Sequence, residues 1–139
     1  MALDNFQAGE TIGLLYSRFE GHRCLAYVHF RRGELDEAER WCANAQELVS
    51  NTESRVSRLW LGPLYLEVLL AGIRRASGAV QLARAAGRSD EAAEQEAKAA
   101  EKRDKAKELL AHYQELVAEC QSPRFRSEAT RLAELLNAE

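Results

Sequence analysis

Between Glu10 and Arg32 the apolar residues Ile12, Leu15, Phe19, Cys24, Leu25, Val28 and Phe30 recur at helical intervals. Gly13 and Gly21 weaken the middle of that pattern, so a short helix over 10–20 is expected to break near Gly21 and hand over to a second one. That second helix ends at Gly33, after Arg31 and Arg32, whose charges suit the negative end of a helix. Beyond Gly33, Ala38, Trp41, Cys42, Ala45, Leu48 and Val49 step by three and four, which predicts an amphipathic helix from Asp36 to Val49. Ser50, Asn51 and Thr52 then interrupt the pattern, and Thr52 is placed to cap a helix beginning at Glu53.

The next segment, to about Ala86, is apolar nearly all round at Val56, Leu59, Trp60, Leu64, Leu66, Val68, Leu69 and Ile73, which predicts a buried spine kinked at Pro63. From Asp90 to Glu108 the only apolar residues are alanines, with Ala92, Ala99 and Ala106 spaced by seven. Leu110, Tyr113, Leu116, Val117 and Cys120 then restore a bulkier face. Across the joint at Gly87 stand Ala76, Ala79, Val80, Ala83 and Ala86, equally small, so the expected unit is an antiparallel hairpin with an alanine seam and a poorly buried tip, started by Ser89 as cap. Ser122 and Pro123 break the chain again, and Ala129, Leu132, Ala133, Leu135 and Leu136 give one side of a last helix. The expected fold is all-α, divided into a short helix at 10–20, a hairpin at 21–50, a long hairpin at 53–121 and a final helix at 124–137.

Two joints share one motif: Gly33-Glu34-Leu35-Asp36-Glu37-Ala38 recurs as Gly87-Arg88-Ser89-Asp90-Glu91-Ala92. Glycine lets the chain leave a helix through a left-handed residue, and the acidic pair falls in the positive first turn of the next helix. Around the first joint, Leu25-Ala26, Gly33, Ala38 and Ala45 resemble in spacing a tetratricopeptide repeat (TPR) over His22 to Ser50. His29, Cys42 and Ser50 depart from the aromatic or proline residues usual in that family. Leu61-Gly62, Tyr65, Ala92 and Ala99 resemble a second, lengthened copy, in which Glu96 stands where an aromatic is usual. The resemblance implies a TPR-like α-α superhelix of antiparallel hairpins, with a C-terminal capping helix and a docking surface for a protein or peptide. It also implies that Arg23, Tyr27, Phe30 and Arg31 line that surface, extended by Arg55 and Arg58. Since about three repeats are normally needed to bury a continuous core, a homodimer, or membership of a larger repeat protein, is a further expectation.

Composition narrows the function without naming it. The chain has 139 residues, 46% hydrophobic content, two prolines and a formal charge of −3, which fits one helical domain and argues against generic nucleic-acid binding. The apolar run from Leu59 to Leu70 is interrupted by Gly62, Pro63 and Glu67 and falls short of a bilayer span. The start of the chain lacks a secretory pattern, so the expectation is a cytoplasmic protein with no membrane partner. Cys24, Cys42 and Cys120, each inside a helical pattern, read as buried thiols. His22, Cys24, His29 and Cys42 lack the ligand spacing of a zinc site, and neither a phosphate loop nor a nucleophile motif is present, so no metal, cofactor or enzymatic activity is expected. The rival reading is a sensor domain holding a small ligand between Trp41, Trp60 and Tyr65.

Overall fold

Gly33 and Gly87 both adopt the left-handed conformation, with φ of 77° and 73°, and the two joints are duplicates in their hydrogen bonds. At the first, the Gly33 N–H donates to the Phe30 carbonyl at 3.0 Å and the Glu34 N–H to that of His29 at 2.9 Å. At the second, the Gly87 N–H donates to Arg84 at 3.1 Å and the Arg88 N–H to Ala83 at 2.8 Å. This double bond satisfies carbonyls that a helix end otherwise leaves bare. The next helix begins at once in both places: the Ala38 N–H reaches the Glu34 carbonyl and the Ala92 N–H that of Arg88, each at 3.0 Å. An added Cβ at Gly33 would meet nothing within 4 Å, so Gly33→Ala tests backbone conformation alone. It is expected to lower stability by about 1 kcal/mol in urea unfolding.

The computed structural model describes the backbone of residues 2–50 and 55–139, and the side chains of residues 13–50 and 55–139. All regular structure among the described residues is helical: α1 (Ala2–Arg31), α2 (Leu35–Ser50), α3 (Arg55–Ala85), α4 (Ser89–Cys120) and α5 (Pro123–Asn137). The expected break at Gly21 is absent, because α1 runs unbroken through it. A helical glycine costs about 1 kcal/mol relative to alanine, and no proline follows to turn that weakness into a stop. At Pro63, by contrast, α3 is one continuous helix, as a kinked spine requires, although Val56 and Trp60, expected on the buried spine, are exposed near its start, where the helix has a solvent side. Ser89 does not cap α4: Arg88 occupies that position without a side-chain bond, and Asp90 and Glu91 supply the favourable charge in the first turn. The cap expected of Thr52 lies outside the described residues.

The chain forms two compact units, Met1–Leu61 and Gly62–Glu139. In the first, α1 packs on α2, and Phe19, Ala26, Ala38, Cys42, Ala45 and Val49 are buried. Ala26, Ala38 and Ala45 are all fully covered, which permits close approach of the two helix backbones.

In the second unit α3 and α4 run antiparallel. Gly62 lies against Tyr113, Gly72 against Lys102, Arg84 pairs with Glu96, and Val80 and Ala83 cluster with Ala92. Of the expected seam, Ala76, Val80, Ala83, Ala92, Ala99 and Ala106 are buried and Ala79 is half-buried, while Ala86 is exposed with the rest of the tip from Arg84 to Glu91. Helix α5 packs on α4, burying Ala129, Leu132 and Leu136. Two ion pairs tie this end of the chain to α3: Arg131, paired with Glu128 of its own helix at 2.5 Å, reaches Glu67 at 2.6 Å, and Arg74 meets Glu139, just past α5, at 2.6 Å. The bonds to Glu128 and then Glu67 raise the Arg131 pKa further above its already high value. These pairs are largely exposed and contribute little beside the buried leucines.

By length and composition α3 is apolar enough to cross a bilayer, yet 56% of its most apolar window is buried within the protein. That burial is what the spine of a helical hairpin requires.

Candidate interaction surface on the first helix

One face of α1 carries Tyr16, Glu20, Arg23, Tyr27 and Arg31, successive positions three or four apart that helical geometry stacks into a ridge. Tyr16 and Tyr27 are 58% and 53% exposed, a large outlay of aromatic surface in water. Between them Arg23 is held side-on by Glu20, with Nε donating to Oε1 at 3.2 Å and Nη2 to Oε2 at 2.9 Å. That bond raises the Arg23 pKa, against a smaller opposing effect of burial. The guanidinium is thereby fixed in orientation along the ridge. Arg31 is exposed at the end of the helix, and Phe30 is half-buried at the edge.

Of the residues expected to form the surface, α1 therefore brings Arg23, Tyr27, Phe30 and Arg31 together. Arg55 is exposed in the first turn of α3. Arg58 has a structural role: its Nη2 donates to the carbonyls of Val49 at 3.2 Å and Ser50 at 3.4 Å, closing the end of α2. Tyr16 was missed by the sequence reading, although it precedes Tyr27 by three helical turns and so shares its face.

The other candidate chemistry disperses. Cys42 is buried as expected, but Cys24 and Cys120 are exposed free thiols, because each falls on the solvent side of its helix. The His22 ring packs on Trp41 with centroids 5.0 Å apart, and His29 Nδ1 lies 3.0 Å from a Glu34 carboxylate oxygen. Among the described residues no three His, Cys, Asp or Glu side chains are placed to hold a metal ion. Of the rings named in the sensor reading, Trp41 also carries Arg40 at 5.6 Å, Trp60 is 44% exposed, and Tyr65 is buried beneath Lys105 at 5.4 Å. No family model, curated protein or solved structure matches the chain.

Proposed function

We propose that the chain is a non-catalytic, TPR-like interaction module of the cytoplasm that binds a protein or peptide segment along the α1 ridge. The observation that carries this reading is the pair of exposed tyrosines, Tyr16 and Tyr27, flanking an arginine already oriented by Glu20. Aromatic faces give contact area at low entropic cost, and guanidinium groups recognise carboxylates with directional hydrogen bonds. An acidic, extended segment with an apolar residue between its carboxylates fits that alternation. The small-residue hairpin and its α1–α2 joint act as the rigid support, and α5 serves as the cap of the second hairpin.

The test is binding of the purified chain to arrays of acidic, neutral and basic twelve-residue peptides. Acidic peptides should be retained, and Tyr27→Ala combined with Arg31→Glu should weaken them about tenfold or more. Retention indifferent to peptide charge, or unchanged in the double variant, overturns the assignment.

A further inference from the structure

On the side of α1 away from buried Phe19 and Ala26, the positions Leu14, Arg18, Gly21, Leu25 and Val28 alternate steps of four and three, and Arg32 continues them just past the helix. All are exposed, with Leu14 at 64%, Leu25 at 40% and Val28 at 44%. Gly21, at the centre, has nothing within 4 Å of where a Cβ would stand. An apolar stripe in coiled-coil register with a bare backbone at its middle is the shape that admits another helix closely.

A face of matching form and opposite charge stands on α4. Its solvent side runs Ala93, Ala97, Ala100, Asp104, Lys107, Ala111 in the same steps, all exposed. Beside it Glu94, Glu101, Glu108 and Glu115 recur every seven residues, so they form a single acidic row along the solvent side of α4. Glu101, Glu108 and Glu115 make no ion pair among the described residues, and Glu94 has only Lys98 at 3.8 Å. Arg18 and Arg32 are fourteen positions apart, roughly 21 Å at the helical rise, the same separation as Glu94 from Glu108 and Glu101 from Glu115. The small side chains Ala93, Ala97 and Ala100 leave room for the Leu25 and Val28 knobs of α1, with Asp104 and Lys107, one charge of each sign, beyond them.

We infer that the chain associates with a second copy of itself by docking the outer face of α1 on the alanine face of the partner's α4, with Arg18 and Arg32 set against the glutamate row. The face differs from the tyrosine ridge, so this inference stands apart from the peptide-binding proposal. A contact of this length buries on the order of 1,000 Å² in total, the low end for specific interfaces, and association is accordingly concentration-dependent and weakened by salt.

Sedimentation of the full chain from about 5 to 500 μM should show the mean mass rising with concentration, and rising less in 1 M than in 50 mM salt. Arg18→Glu with Arg32→Glu should abolish association, as should Glu101→Lys with Glu108→Lys. Mixing the two charge-reversed proteins should restore it, whereas the Tyr27→Ala, Arg31→Glu ridge variant should associate as the parent does. Circular dichroism confirms that each variant remains helical; these substitutions are on exposed positions, so folding is expected to be retained. A mass that stays monomeric throughout, association surviving either reversal, or a mixture that stays monomeric overturns the inference.

Discussion

Replacing Ala106 by leucine is expected to destabilise the second unit by about 2–3 kcal/mol, among the largest effects of any single substitution in this chain. Ala106 has no exposed surface, and it occupies the α4 face that also buries Ala99 and Tyr113. Three additional carbons would have to fit against neighbours that already cover the alanine completely. Either the leucine takes a strained rotamer or α3 and α4 move apart, which would loosen the seam at Ala99 and the contact of Gly72 with Lys102. The same change at Ala100, which is exposed six residues away, is expected to alter stability by no more than about 0.5 kcal/mol. Urea unfolding of the two variants at low micromolar concentration separates the cases. Equal midpoints would show that α3 and α4 are not closely packed along the alanines.

The seam was legible in the sequence because small size and a seven-residue spacing leave few alternatives: alanine adds little apolar area, so a helix rich in it is held only by close approach. The joints were legible for a similar reason, since only glycine enters the left-handed region cheaply and the acidic pair marks the next helix start. Gly21 misled because local propensity is a small energy, readily outweighed by a helix with no stop signal. The thiols at positions 24 and 120 misled because cysteine's usual burial says nothing about which side of a particular helix it occupies. Arg58 lies outside the reach of pattern reading: its capping of Val49 and Ser50 depends on two segments nine residues apart in sequence meeting in space. The glutamate row on α4 was overlooked since periodicity was sought among apolar residues, and an exposed face acquires meaning only once the buried one is known.

Tyr113 illustrates how a well-packed ring can carry a badly placed atom, and its two truncations are expected to act in opposite directions. The ring is 2% exposed and lies so close to Gly62 that a Cβ there would stand 2.7 Å from its Cδ2. Tyr113→Ala should therefore cost about 3–5 kcal/mol, the usual loss for emptying an aromatic site. The hydroxyl, by contrast, is buried without a hydrogen-bond partner. Removing it while keeping the ring, as in Tyr113→Phe, relieves an unmet desolvation cost and should stabilise by about 1 kcal/mol. Burial, and secondarily the negative charge of Glu128, pushes the phenol up from the usual value near 10 to about 12. Since the folded value is the higher one, the native state resists ionisation. The associated stability is complete below pH 10 and is lost as pH rises from 10 through about 12. That loss is on the order of 1–2 kcal/mol in urea midpoints measured across this range. Tyr113→Phe should remove this component of the alkaline loss, leaving only the contribution of other groups. An alkaline profile identical in the parent and the phenylalanine variant would mean that the phenol reaches water in the folded protein, and the packing of Tyr113 on Gly62 would have to be abandoned with it.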